Sequence, residues 1–321
     1  MSLKNKAILV TGGAGFIGSH LIDRLIKECP EKIIVVDNFF TGKMKNLEEA
    51  KSSFENLKIY NEDASEFTAI ENIIAREGTD VVFNLATKPL PYSFINPEGA
   101  FMVNVNIVCV LLNLLKKGIY DRLIHFSSSE AYGSAEYVPM DEEHPLKPTT
   151  PYSAGKAASD LMVMSYYRTF GLDVSIVRPF NNYGPRQNDL FYAAVIPITI
   201  KRILNNERPI VEWDGNQTRD FIYVEDTVKA TIDIYNSKIS KGRIINIASG
   251  KETKIRDLIE VIKREMRCKD ENIKKPKRQG DIRRHCGSVE IAKKLIDFNP
   301  QTSFDEGIRK TVGWYKDTNG K

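Results

Sequence analysis

Along the first 130 residues, short runs of consecutive apolar positions alternate with stretches whose apolar positions recur at helical spacing. Unbroken apolar runs of this length predict strands buried on both faces, and the helices between them predict that both faces are covered. The strand candidates are Ala7–Thr11, Lys32–Asp37, 57–60, 80–85 and 122–127. Between them, 17–27 places Ile17, Leu21, Ile22 and Leu25 on one helical face, and 102–116 predicts a second, strongly apolar helix. The pattern is that of an α/β fold built on a doubly wound parallel sheet.

Beyond a further buried strand at 174–178 the texture changes. Asn181-Asn182-Tyr183-Gly184-Pro185-Arg186 is polar and turn-rich, and the chain is expected to leave the sheet there. Helices follow near 193–205, 224–237, 255–267 and 289–296, with a strand at Ile244–Ile247. The expected organisation is a first domain over 1–180 and a smaller C-terminal lobe over 181–321, with some elements returning to the main sheet. The lobe is expected to close over the carboxyl ends of the strands, where ligands bind in such sheets.

Composition narrows the function classes. Of 321 residues, 42% are hydrophobic and 27% charged, and 46 basic residues against 42 acidic ones leave a formal charge of +4. So small an excess does not point to nucleic acid as a partner. The basic run Lys274-Lys275-Pro276-Lys277-Arg278, with Arg283 and Arg284, predicts a solvated loop from which one or two arginines reach a ligand. Cys29, Cys109, Cys268 and Cys286 lie far apart, without zinc or disulfide spacing, and read as free thiols of a reducing compartment. His20, His125, His144 and His285 form no metal-ligand spacing, so no metal is expected. The apolar run after the N-terminus is too brief for a signal peptide or a membrane span. A cytoplasmic protein without a membrane partner is the expectation.

The first strand candidate runs directly into Thr11-Gly12-Gly13-Ala14-Gly15-Phe16-Ile17-Gly18, which opens the first helix. In such a turn Gly12 permits the tight bend, Gly15 lets the backbone approach a pyrophosphate, and Gly18 lets helix and strand pack closely. The free N–H groups of the helix N-terminus suit phosphate. A glycine triplet alone is a weak signal, but Asp37 stands at the end of the second strand, where a carboxylate accepts from ribose hydroxyls. A carboxylate there also repels a 2′-phosphate and favours NAD over NADP. Asp63, after the third strand, is either an adenine contact or a solvated acid.

Tyr152-Ser153-Ala154-Gly155-Lys156 puts a phenol and an ammonium four residues apart, on one face of a helix that Pro151 opens. A phenol with an ordinary pKa of about 10 is a poor base at neutral pH, and a neighbouring cation stabilises its phenolate. Such a pair can take a proton from a sugar hydroxyl while hydride leaves the same carbon.

Together, the glycine turn, Ser127-Ser128-Ser129, Tyr152 with Lys156, and Arg178-Pro179-Phe180-Asn181 resemble the extended short-chain dehydrogenases/reductases, and within them the NAD-dependent nucleotide-sugar epimerases and dehydratases. The resemblance covers nearly the whole chain. It implies a Rossmann domain for NAD, with Phe16 and Ile17 beside the glycines, and a lobe for a nucleotide-sugar. It implies that Ser128 hydrogen-bonds the oxidised hydroxyl, that Asn104 braces the cofactor site and that Lys88 lies near the cofactor. It also implies that Ser129, Asn181, Arg219 and Arg278 contact the substrate, arginine being suited to phosphate by its planar fork. Lys88-Pro89-Leu90-Pro91-Tyr92 is expected to line the sugar pocket.

Position 130 separates the reactions within that resemblance. Family 4-epimerases usually carry a small residue where this chain has Glu130, whereas dehydratases have a glutamate that takes the proton from carbon 5 next to a 4-keto group. The resemblance therefore implies a dehydratase that oxidises carbon 4, eliminates water across carbons 5 and 6, and returns the hydride to carbon 6 or to carbon 4. Ser129 departs from the dTDP-glucose dehydratases, which have aspartate there, and matches the GDP-mannose dehydratases. A UDP-hexose or UDP-linked N-acetylhexosamine is the expected substrate. A 4-epimerase is the alternative, a UDP-glucuronate decarboxylase the third reading, and a catalytically silent NAD-sensing module the reading from another class. A homodimer through a four-helix bundle of 102–116 and 157–169 is expected.

Overall fold

A computed structural model describes residues 2–190, 192–277 and 280–319. Its centre is a seven-stranded, wholly parallel sheet. In chain order the first half runs β1 (Ala7–Thr11), α1 (Phe16–Ile26), β2 (Lys32–Asp37), α2 (Glu48–Ser53), β3 (Leu57–Asn61), α3 (Phe67–Glu77), β4 (Val81–Asn84), α4 (Pro97–Lys116), β5 (Arg122–Phe126), α5 (Pro151–Phe170) and β6 (Val174–Pro179). The second half runs β7 (Asn181–Tyr183), α6 (Val195–Leu204), β8 (Ile210–Glu212), β9 (Thr218–Arg219), β10 (Phe221–Tyr223), α7 (Val224–Asn236), β11 (Ile244–Ile247), β12 (Thr253–Lys254), α8 (Ile255–Met266), β13 (Ile273–Lys275), α9 (Glu290–Ile296) and α10 (Phe304–Asn319).

The sheet order is β11-β6-β5-β4-β1-β2-β3, so the winding reverses between β1 and β4 and leaves a crevice at their carboxyl ends. Every residue of β1, β4 and β5 is buried, as unbroken apolar runs require when helices cover both faces. One core packs α1 and α7 on the sheet, and another packs α3, α4 and α5 on the opposite face. By length and composition α4 could cross a membrane. In this fold it buries Ile107, Val108, Leu111, Leu112 and Leu115 among the second core instead.

A third core, formed by α6, α8 and α10 with β10, supports the lobe. Here the strands are two or three residues long and pair in three small two-stranded sheets: β10 with β7, β12 with β9, and β13 with β8. β11 returns from the lobe to the edge of the main sheet beside β6.

Candidate active site

The crevice above β1 and β4 opens into a cavity of about 380 Å³. Gly12 sits at its floor with φ +68°, and a Cβ there would stand 2.8 Å from the Ala86 nitrogen on the neighbouring strand end. Gly18 faces Gly12 across the turn, where an added Cβ would lie 2.2 Å from the Gly12 carbonyl oxygen. Close approach therefore demands glycine at both positions. Gly15, at the start of α1, lines the cavity with Phe16 and Ile17, so the helix N-terminus faces it.

Asp37 closes the far side of the cavity. Its carboxylate accepts from the Ala14 and Phe39 backbone N–H groups at 2.9 and 2.8 Å, and burial pushes its pKa up. Asp63 also lines the cavity, with its oxygens accepting from Asn38 and Ser65. Burial opposes its charge, but the Ser65 and Asn38 donors hold its carboxyl below the usual range. Lys88 lies over the Phe40 ring at 3.6 Å, and burial lowers its pKa. Asn104 is buried on α4 and accepts from the Lys88 backbone N–H and the Thr87 hydroxyl at 2.8 and 3.0 Å, pinning that loop to the helix.

A second cavity, about 550 Å³, lies between the carboxyl ends of the strands and the lobe. Ser128 and Tyr152 line both cavities, so the two meet at these residues. Tyr152 owes its position to the start of α5, where Thr150 and Ser153 form a reciprocal capping box and Pro151 occupies the first turn. Burial pushes the Tyr152 phenol up to about 12, against the lowering effect of the Ser128 and Thr87 hydroxyls. Lys156 donates to the Phe126 carbonyl at 2.9 Å, and burial lowers it to about 8, with Asp160 working the other way. Burial is thus the largest influence on both members of the pair.

Glu130 lies in a single 3-10 turn, Ser129–Tyr132, whose N-terminus Ser128 caps by accepting from the Glu130 N–H. It lines the second cavity with Ser128 and Tyr152. Asn181 is there too, its side-chain nitrogen buried and without a hydrogen-bond partner among the described residues. Leu90 and Pro91 of the proline-rich stretch, with Phe94 beyond it, form an apolar wall here, while Lys88 and Pro89 line the first cavity.

One expectation needs correction. Ser129 is buried and lines neither cavity; its carbonyl lies 3.2 Å from His285 Nε2, because the turn that presents Glu130 rotates the preceding side chain inward. Arg219 reaches the cavity wall, but its guanidinium is already paired with Asp281 and donates to the Thr218 and Ile282 carbonyls. Arg278 lies outside the described residues. Sequence reasoning missed Thr87, which acts on Tyr152, and Asn182 and Gln187, which line both cavities. The polar stretch after residue 180 was the available signal for the last two. Among the described residues no group of three or more His, Cys, Asp or Glu side chains is arranged to hold a metal.

A parallel doubly wound sheet, a glycine turn at its switch point and a tyrosine–lysine pair at the carboxyl ends define a dinucleotide-dependent enzyme of the short-chain dehydrogenase/reductase type. The chain belongs to the GDP-mannose 4,6-dehydratase family, whose model matches residues 9–311. It is an enzyme of the NAD-dependent nucleotide-sugar epimerases and dehydratases. A protein of Methanocaldococcus jannaschii, assigned provisionally as a UDP-glucose 4-epimerase, is 37% identical over 97% of this chain and 99% of its own length. A UDP-N-acetylglucosamine 4-epimerase from Methanobrevibacter ruminantium, solved in complex with UDP-N-acetylmuramic acid, is 37% identical with a TM-score of 0.89, covering 98% of this chain and 99% of that one. A dTDP-glucose 4,6-dehydratase from Streptomyces venezuelae, solved with NAD bound, is 28% identical with a TM-score of 0.92, covering 98% of both chains.

Proposed function

We propose that the protein is a nucleotide-sugar 4,6-dehydratase acting on a UDP-hexose or UDP-N-acetylhexosamine. The observation that carries this is Glu130 on the wall of the second cavity, beside Ser128 and Tyr152. An epimerase has no use for a carboxylate there, because it removes and restores hydrogen at one carbon only. Elimination does, because a proton must leave carbon 5 and a hydroxyl must leave carbon 6.

The first cavity suits NAD: glycines let a pyrophosphate approach, the start of α1 faces it, and Asp37 stands where ribose hydroxyls donate. NAD held there would supply the acceptor for the carbon-4 hydride and the hydride that ends the cycle. Tyr152 takes the proton from the carbon-4 hydroxyl, with Ser128 donating to the same oxygen and Lys156 supplying the charge that makes the phenolate accessible. Glu130 then takes the carbon-5 proton and delivers a proton to the departing hydroxyl, which leaves as water. Because Ser129 is turned inward, no second acid shares this task from that position. Asn181 and Arg219 hold the sugar and diphosphate, and the M. ruminantium structure with its UDP-linked ligand supports a uridine diphosphate. Residues 1–180 serve the cofactor and 181–321 mainly the nucleotide-sugar. The same reading makes the protein a cytoplasmic homodimer paired through α4 and α5, on which Met102, Leu161 and Phe170 are exposed.

Incubation with UDP-N-acetylglucosamine in heavy water, followed by mass spectrometry and proton NMR, tests the reading. Loss of the mass of one water is the expected outcome, and a methyl signal or an exocyclic alkene then tells which carbon receives the hydride. The relatives from M. jannaschii and M. ruminantium favour 4-epimerisation as the second reading, and a new isomer of unchanged mass would establish it in place of dehydration.

A further inference from the structure

Beneath Lys156 lies a buried polar cluster to which the reaction above assigns no task. Asp160, one turn further along α5, is 1% exposed. Its Oδ2 accepts from the Ser127 hydroxyl at 2.5 Å and from Arg178 at 2.7 Å. Arg178, from β6, is equally buried and lies against the face of Tyr132 at 4.4 Å. On the other side, His125 Nε2 from β5 stands 3.7 Å from Asp160 Oδ1. With the Asn84 amide oriented as it stands here, hydrogen bonding selects one tautomer of that imidazole. The Thr11 hydroxyl accepts from the Ala86 N–H and donates to Asn84 Oδ1, so Asn84 Nδ2 donates to His125 Nδ1 and the ring proton sits on Nε2, toward Asp160.

Burial, with Lys156 and Arg178 close by, holds His125 far below its usual range and therefore neutral. Asp160 acts on both Tyr152 and Lys156, Lys156 and Arg178 both act on the neutral His125, and Glu130, in the turn after β5, acts on Tyr152. Within the buried cluster itself, Lys156 and Arg178 bring two positive charges and Asp160 the one negative charge. One net positive charge remains there.

We propose that Asp160 is the positioning residue of the Tyr152–Lys156 pair: its carboxylate keeps the Lys156 ammonium charged beside Arg178 and ties Ser127, next to Ser128, to the sheet. This rests on Tyr152 and Lys156 being the redox acid/base pair. Removing the one anion would leave two cations sharing a dry site, and the lysine, the weaker base, would release its proton.

The test titrates lysine labelled with ¹³C at Cε by NMR in the purified protein, the Lys156 signal being assigned by its loss in Lys156→Met. In the wild type it titrates near the value of about 8 that burial imposes. In Asp160→Asn it moves to lower pH by roughly one unit or more, a tenfold loss of proton affinity. The alkaline limb of turnover moves with it. A Lys156 titration unchanged in Asp160→Asn would overturn the proposal, even with activity reduced, since a structural role alone damages turnover without moving that proton. Should Asp160→Asn fail to fold, Arg178→Gln removes a cation while keeping a donor for Asp160, and the titration must then move to higher pH; no upward shift overturns the proposal. Turnover retained in Tyr152→Phe would sink the redox-pair reading separately, through a readout that leaves the titration untouched.

Discussion

The two cavities that meet at Tyr152 are built by different means. The first takes its shape from backbone: the ends of β1, β2 and β4, a glycine turn with no room for a Cβ, and the start of α1. The second is walled by side chains on short strands, a single turn, loops and the start of α6, with Glu130, Asn181 and Arg219 drawn from segments almost 90 residues apart. Backbone geometry tolerates few substitutions, whereas side chains on short segments can be exchanged one at a time. The chemistry that distinguishes one nucleotide-sugar enzyme from another is thereby concentrated in the replaceable half.

Four substitutions press on that contrast, from the largest effect to the smallest. Tyr152→Phe, at the junction, removes the proposed acid/base group and should lower turnover by about 10²- to 10⁴-fold, while calorimetry finds NAD binding within a factor of roughly three. Glu130→Gln, on the substrate side, should cut product formation by about 10²-fold or more yet allow carbon-4 oxidation. Single-turnover absorbance at 340 nm should therefore rise and persist instead of decaying. Gly18→Ala, on the cofactor side, meets the Gly12 carbonyl and should cost roughly 1–3 kcal/mol in thermal or denaturant unfolding. NAD affinity should fall with it, leaving the ratio of dehydrated to isomerised product unchanged. Ser129→Ala is the mildest: a steady-state assay should give kcat within about threefold of wild type, because the side chain reaches neither cavity. A large loss in Ser129→Ala would break the contrast, since a residue outside both cavities would then carry chemistry.

The same contrast decides what could be read from the sequence. Strands buried on both faces announce themselves as apolar runs, so Ala7–Thr11, Lys32–Asp37 and Ile244–Ile247 are legible together with the glycine turn and Asp37. Tyr152 and Lys156 are legible because helical spacing alone puts them on one face. Strands of two or three residues carry no period, so the pairing of β9 with β12 and β8 with β13 has no local signal. Nor does the capture of Arg219 by Asp281, 62 positions away, which turns an expected phosphate fork into a partly committed one. Ser129 illustrates a different failure: adjacency to Glu130 suggested a shared role, but in a tight turn consecutive side chains point apart. Asp160 went unnoticed because an acid within an amphipathic helix usually faces water, and only the fold reveals Arg178 and His125 waiting for it.

Tyr152, Ser128, Asn182 and Gln187 belong to both cavities at once, as parts of a shared partition. Occupants on the two sides would therefore meet at the same four residues. Whatever factor bound cofactor lends to the affinity for sugar nucleotide, sugar nucleotide must lend back to the affinity for cofactor. Titrating either ligand in the presence and absence of the other gives that factor twice, and the two values must agree.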